Sequence, residues 1–270
     1  MQIPGLTRRG EDQIQPRERK TIKGYEPYTL GAGRRACLLV HGIAGSPAQM
    51  RGLAEALAIS GITARGTLLP GHGTHPDDLD GIVWQDWYEH IHKEYCGLKS
   101  EFDDVSLVGF SIGAALAAHY AAYNHIDRLV LLNVPLCPLN DRFPTSLMLR
   151  LYGAFFKTVK GRPEKLVDAD GEPFSYVYDR VPTAILRTMS ELIEIVRERL
   201  DRIHSPVLII QSRNDKVSGS KSGPLAYQRV SSSDKRLVML ERSGHSIMMD
   251  VEQELVFRQI IGFLKGETVQ

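Results

Sequence analysis

The chain has 270 residues, 43% of them hydrophobic and 24% charged, with 33 Lys+Arg against 32 Asp+Glu. That is apolar content enough for a sizeable core, in one large α/β domain or two small ones. A formal net charge of +1 offers no electrostatic reason to bind nucleic acid or an anionic membrane surface. No apolar run approaches the ~20 residues needed to span a bilayer. Met1 to Lys20 is a polar, charged arm without the apolar stretch of a secretion signal. Cys37, Cys96 and Cys137 are odd in number, far apart and set among apolar residues, which predicts reduced, buried thiols. A soluble, cytoplasmic protein is the expectation.

After the arm, Thr21–Ile22 and Tyr28–Leu30 read as short edge strands. Ala36-Cys37-Leu38-Leu39-Val40 is a continuous apolar run, the mark of a strand buried on both faces. A helix follows with Ser46 as N-cap, Pro47 at the first helical position and Gly61 just past its end. Met50, Leu53, Ala54, Leu57 and Ala58 recur along it at helical spacing. Ile62 to Leu69 is a strand candidate, residues 70–76 a Gly/Pro/His-rich loop, and Val83 to Tyr95 a second amphipathic helix. Val105 to Val108 is again an apolar, β-branched run, and it enters Gly109-Phe110-Ser111-Ile112-Gly113 and then an alanine-rich helix through Tyr123. Leu129–Leu132 is the next buried strand. This β-α-β-α-β-α-β alternation specifies a mostly parallel sheet with helices on both faces.

The rhythm breaks at residues 135–203, which read as a helical cap insertion. One apolar stripe there runs through Met148, Leu151, Tyr152, Phe155, Phe156 and Val159. A second runs through Ile185, Leu186, Met189, Leu192, Ile193, Val196 and Leu200. Val207–Gln211 and Leu237–Leu240 resume the sheet, and an amphipathic helix over 251–264 closes it. The domain reading is therefore an arm at 1–20, a core at 21–134 and 204–270, and a cap at 135–203.

Strand, sharp turn, helix, with a serine at the apex, is the nucleophile elbow pattern. Glycine at 109 and 113 lets backbone segments approach where a Cβ would collide. A serine hydroxyl needs a base to take its proton and an acid to orient that base. In a doubly wound sheet those partners belong in loops at the carboxyl ends of later strands. Asp215 follows the strand at 207–211 and His245 follows the strand at 237–240, in the order Ser111…Asp215…His245. Asp234 precedes its strand and Asp250 follows the histidine, so both are poorer acids for the role. For the oxyanion, the Ile112 N–H is one donor, and the loop after Val40 supplies the second, Ile43 with Ala44 as the alternative. His41 reads as a brace of that loop. His72 and His75 beside Asp77 and Asp78 fit no zinc spacing and read as structural, so no metal and no organic cofactor is expected.

In the residues His41 to Pro47, Gly71 to Thr74, Gly109 to Gly113, Asp215 and Ser243 to Ser246, the chain resembles the α/β-hydrolases, and within them the bacterial carboxylesterase and monoacylglycerol-lipase branch. The departures are Ala114, where a further glycine often follows the elbow, and Ser212, where glycine often precedes the acid. The resemblance implies an α/β-hydrolase fold, Ser111 as nucleophile, Asp215 and His245 as acid and base, and Ile43 with Ile112 as oxyanion hole. It implies a small-molecule ester substrate. Thioesterase, amidase and C–C hydrolase activities use the same three groups, and a non-catalytic binding protein of this fold is the rival from another class. The two cap stripes need a surface to cover, and the expectation puts them above Ser111. Leu147, Met148, Leu151, Tyr152, Phe155, Leu186 and Met189 are then the candidates for a short- to medium-chain acyl pocket.

Overall fold

A computed structural model of the chain describes residues 19–137, 157–160, 166–167, 173–174 and 178–267. The centre is a seven-stranded sheet. In chain order its strands are β1 (Tyr28–Leu30), β2 (Arg35–Val40), β3 (Ile62–Thr67), β4 (Asp104–Phe110) and β5 (Leu129–Leu132), then, beyond four short strands, β10 (Val207–Ser212) and β11 (Lys235–Leu240). They lie side by side as β1-β3-β2-β4-β5-β10-β11, all parallel except β1, which pairs antiparallel with β3. The apolar runs of β2, β4, β5 and β10 are buried almost throughout, as two covered faces require.

Helices α1 (Arg51–Ile59) and α6 (Gln253–Lys265) cover one face, where Leu53, Leu57, Val256 and Phe263 meet Leu39, Val108 and Ile210. Helices α2 (Trp84–Glu101) and α3 (Ile112–Ala121) cover the other, and α4 (Thr183–Arg199) lies on those two helices; α5 (Ser222–Arg229) adds Ala226 to that side. The chain winds outward from β2 in both directions, so the strand order reverses between β2 and β4. Open α/β sheets bind ligands at such a switch point, beyond the carboxyl ends of the strands.

Several local expectations change in the folded chain. Thr21–Ile22 is not a strand; Ile22 N–H instead donates to Gly73 O at 2.8 Å. Ser46 sits in extended backbone at the head of a 3₁₀ turn (Pro47–Met50), but its hydroxyl makes no capping bond. β3 stops at Thr67 because the Leu69 N–H is taken by His41 Nε2 at 3.1 Å rather than by a neighbouring strand. Cys37 is buried, Cys137 half-buried, and Cys96 exposed. Cys96 differs from expectation because α2 buries a stripe through Trp84, Trp87, Tyr88, Ile91, Tyr95 and Leu98 and turns position 96 outward.

The region 135–203 differs most. Its described residues hold two antiparallel pairs, β6 (Thr158–Lys160) with β9 (Arg180–Pro182) and β7 (Leu166–Val167) with β8 (Pro173–Phe174). Val159, expected on a helix, is thus in a strand, and the rest of that stripe lies outside the described residues. The second stripe does form a helix, α4, but it buries Ile185, Leu192, Val196 and Leu200 against the α2–α3 layer. Thr188 Oγ1 even accepts the first N–H of α2, from Trp84, at 2.8 Å. The physical reason is topological. β5 and β10 are parallel neighbours, and a parallel pair needs a crossover that returns over one face of the sheet, here the face that α2 and α3 already cover. Among the described residues, no helix is long and apolar enough to cross a membrane.

Candidate active site

Ser111 stands between β4 and α3 with φ +55° and ψ −121°. A non-glycine residue holds such a conformation only where its surroundings over-determine it. Two close approaches do so here. A Cβ on Gly109 would lie 2.2 Å from Gly113 O, and one on Gly113 would lie 2.4 Å from Val40 O. Glycine at both positions lets β2, β4 and α3 converge beneath the serine. Ser111 N–H is held by Leu132 O at 2.9 Å, which fixes the turn against β5.

Ser111 Oγ lies 3.1 Å from His245 Nε2, and His245 Nδ1 lies 3.0 Å from both carboxylate oxygens of Asp215. The three side chains, spread over 134 residues of sequence, form one hydrogen-bonded line. Asp215 Oδ1 also accepts Val217 N–H at 2.8 Å and Ser218 N–H at 2.9 Å, and Oδ2 accepts from Gln211 Nε2 at 3.1 Å. Burial pushes this carboxyl upward, but the His245 bond and charge and the two amides outweigh it and hold it below the usual range. Phe110 packs its ring 5.0 Å from that of His245.

The histidine loop hangs from two further acids. Glu252 accepts N–H groups of Glu241, Arg242 and Ser243 and the Ser243 hydroxyl, at 3.3, 3.0, 2.7 and 2.7 Å. Burial pushes this carboxyl upward, but the four donors together outweigh it and lower it to about 2. Asp250 Oδ2 accepts Gly244 N–H at 2.7 Å, so this rival acid braces the loop instead of reaching the ring. Asp234, the other rival, faces Arg128 and Arg236 at 3.8 and 3.5 Å. Ser212 Oγ donates to Ser243 O, tying the ends of β10 and β11 together.

Opposite this lies the turn after β2. Its Gly42 N–H donates to Gln49 Oε1 at 3.2 Å, Ala44 N–H to His72 Nε2 at 3.0 Å, and Gly45 N–H to Gly42 O at 3.2 Å. Ala44, one of two sequence candidates for an oxyanion donor, therefore has its amide committed. The Ile43 amide has no acceptor among the described hydrogen bonds, and that of Ile112 opens α3, where the first N–H groups have no intrahelical partner. His72 accepts on Nε2, so its proton sits on Nδ1, which donates to Pro70 O at 3.1 Å. His41 accepts Leu69 N–H on Nε2, and its Nδ1 donates to Gly42 O at 2.8 Å. Burial lowers both imidazoles, His72 to about 4; both are neutral at physiological pH. His75 accepts Asp77 N–H at 3.2 Å to cap a short 3₁₀ turn. Among the described residues no group of three or more His, Cys, Asp or Glu could hold a metal ion.

Some residues at this site were not singled out from the sequence. Tyr178, from the far end of the insertion, donates its N–H to Ala44 O at 2.9 Å and accepts Thr74 N–H on its hydroxyl at 2.9 Å. Its ring lies parallel to that of His72. Asn133, Gln211, Ser218 and Glu252 are the others. Asn133 and Gln211 carry a usable signal, a polar residue closing an otherwise apolar strand on the edge where the serine sits. Of the cap candidates, Leu186 and Met189 are half-buried against the α2–α3 layer. Leu147, Met148, Leu151, Tyr152 and Phe155 lie outside the described residues.

A parallel sheet wrapped on both faces, with an elbow serine and loop-borne histidine and aspartate at its carboxyl edge, defines the α/β-hydrolases. The family described as serine aminopeptidase, S33 matches residues 31–252, and the chain belongs to it. A carboxylesterase of Bacillus subtilis (strain 168) is 28% identical over 241 residues, 89% of this chain and 96% of that protein. A thermostable monoacylglycerol lipase of Bacillus sp. (strain H-257) is 30% identical over 248 residues, 90% of this chain and 95% of that one. Among solved structures, one from work on LipS and LipT, two metagenome-derived lipolytic enzymes, matches with a TM-score of 0.82 at 28% identity, covering 92% of this chain and 100% of that chain. The monoacylglycerol lipase of Paleococcus ferrophilus shares the fold, with a TM-score of 0.73 at 18% identity over 90% of this chain and 98% of that chain.

Proposed function

We propose that this α/β-hydrolase is a serine carboxylic-ester hydrolase that works through an acyl-enzyme on Ser111. Ester hydrolysis is the activity in the names of the relatives described above, and the line from Ser111 Oγ through His245 to Asp215 is the observation that carries the reading. In the first half-reaction Ser111 Oγ attacks the ester carbonyl as His245 Nε2 takes its proton. The negative charge on the carbonyl oxygen is met by the N–H groups of Ile43 and Ile112. Collapse expels the alcohol, which leaves with the proton from His245. A water then attacks the acyl-enzyme by the same route, releasing the acid and restoring Ser111. Asp215 holds the Nδ1–H tautomer and stabilises the imidazolium. The reaction so written uses only groups of the chain and water.

The substrates are small-molecule esters of short to medium acyl chain, monoacylglycerol-like compounds included. We read residues 135–182 as the cap proper, since α4 packs as part of the core. The acyl pocket is then formed by the first stripe, Leu147, Met148, Leu151, Tyr152 and Phe155, with Leu186 and Met189 at its border. The three cysteines, free of disulfides, support a reducing, cytoplasmic setting. The matched family's description as an aminopeptidase favours amide hydrolysis as a second reading.

A fluorophosphonate probe and a substrate panel test this together. The probe labels the parent protein and not Ser111→Ala; no labelling of folded parent would make the chain a binding protein. The panel holds p-nitrophenyl esters of increasing chain length, monoacylglycerols and aminoacyl p-nitroanilides. Each acyl methylene buried contributes about 0.8 kcal/mol, so kcat/KM rises about fourfold per carbon until the pocket is full. Faster turnover of anilides than of esters would transfer the assignment to the amidase reading.

A further inference from the structure

We propose that Asn133 is a positioning residue that sets where His245 stands relative to Ser111 and Asp215; this rests on the roles just assigned to those three. Asn133 is the first residue beyond β5. It touches no reacting atom, yet four bonds from it reach three separate segments around the site. Its Nδ2 donates to His245 O at 2.6 Å and lies 3.4 Å from Gly244 O. Its Oδ1 accepts Ser212 N–H at 2.8 Å, at the end of the strand that leads to Asp215. Its backbone N–H donates to Ile210 O at 2.9 Å, and its backbone O accepts from Ser218 Oγ at 2.8 Å. Ser218 in turn gives its N–H to Asp215 and has its hydroxyl 3.5 Å from His245 Nδ1.

Two features separate this residue from an ordinary buried amide. It is fully buried, and its φ is +45°, a left-handed conformation that asparagine tolerates better than other side-chain-bearing residues. That backbone aims the amide across the end of β10 at the histidine loop while its own carbonyl turns to the acid loop. The side chain is also polarised for the task, since its amide donates to His245 O from one atom and accepts from Ser212 N–H on another. Nothing else among the described hydrogen bonds holds the His245 carbonyl from a side chain. Position therefore passes from the rigid end of β5 to the imidazole, where misplacement by ~1 Å costs ~10²-fold in rate.

The test uses Asn133→Gly, Asn133→Asp and, as a stability control, Thr63→Val, which removes a half-buried hydrogen bond to Gly33 O far from the site. Glycine adopts φ +45° freely, so Asn133→Gly keeps the backbone and deletes the amide. Asn133→Asp keeps size and the acceptor, but its ionised carboxylate cannot donate to His245 O, whereas its neutral acid can. Both are measured as folded proteins with a p-nitrophenyl ester across pH. The expected result is a fall in kcat of ~10²-fold with KM within about threefold. Asn133→Asp, whose carboxylate accepts but cannot donate, falls at least as far as Asn133→Gly across the neutral and alkaline range. Thr63→Val loses melting temperature and keeps kcat. Parental kcat in Asn133→Gly, a loss confined to KM, or parental kcat in Asn133→Asp at neutral pH would each overturn the proposal. The underlying reading fails separately: turnover by Ser111→Ala sinks the site assignment, whatever Asn133 does.

Discussion

The two sides of the site are braced by different chemistry. On the oxyanion side, the turn at 42–45 is held by a neutral glutamine and a neutral histidine, with His41 and Tyr178 behind them. On the triad side, the loops at 212–218 and 241–245 are held by Asp215, Asp250 and Glu252, with Asn133 between them. Among the described residues, no carboxylate holds an amide of the oxyanion turn. The difference follows the charge that the proposed reaction develops. An imidazolium forms at His245, where nearby carboxylates stabilise it. In that proposed reaction the oxyanion is the one assigned to Ile43 and Ile112, where a carboxylate would oppose it and an uncharged acceptor orders the turn without that cost. A buried imidazole suits the task, since burial itself keeps it neutral.

The largest expected effect joins both sides. Ser111→Ala lowers kcat by at least ~10⁴-fold with little change in melting temperature, read by steady-state esterase assay and calorimetry. Activity within tenfold of the parent would remove the serine from the chemistry. On the triad side alone, Asp215→Asn preserves shape but favours the wrong imidazole tautomer, and kcat falls by ~10⁴-fold. Asp234→Asn, at a surface ion pair, changes kcat less than twofold. The reverse ranking would move the acid.

On the oxyanion side, His72→Leu deletes the acceptor of Ala44 N–H and lets the turn relax, lowering kcat by about 10²-fold, the order of losing one oxyanion donor. His72→Gln retains an acceptor and loses less. Equal losses in the two variants would mean that the imidazole acts by volume and not by its lone pair. Tyr178→Phe removes the hydroxyl that accepts Thr74 N–H at 2.9 Å and donates to Gly71 O at 3.4 Å, and keeps the ring and the backbone bond to Ala44. A fall in kcat of ~5-fold, with stability lower by ~1 kcal/mol, is the expected outcome of kinetics and urea unfolding.

A separate effect is on stability as pH falls, and it distinguishes the two sides. His72 is lowered to about 4 in the folded chain, against ~6.5 unfolded. Between those values the unfolded chain binds a proton that the folded chain refuses, so stability falls with decreasing pH by up to about 1.4 kcal/mol per unit. His41 and His119 are lowered as well and act in the same direction. Glu252, lowered to about 2, contributes above ~4.5 and loses that contribution as pH falls towards 2. Urea midpoints from pH 7 to 3 should therefore show a drop above pH 4.5 that His72→Gln reduces and Glu252→Gln leaves alone. A drop above pH 4.5 that is identical in parent and His72→Gln would dissociate His72 from it.

What was legible in the sequence is what short-range patterns specify. The apolar runs of β2, β4, β5 and β10 announce two covered faces. Gly109-Phe110-Ser111-Ile112-Gly113 carries its own strand, turn and helix within a dozen residues. Asp215 and His245 could be read because each lies just beyond a strand, on the edge already marked by Ser111. The partners that hold this line together could not be read in the same way. Asn133 meets His245 across 112 positions and Tyr178 meets Thr74 across 104, and no local period connects such residues. The second stripe of 135–203 makes the limit plain. Its spacing required that Ile185, Leu192, Val196 and Leu200 bury a face, but a stripe does not say against what. The pairing of β5 with β10 decided that, because two parallel neighbours need a crossover, and the crossover helix has only the sheet's own α-layer on which to lie.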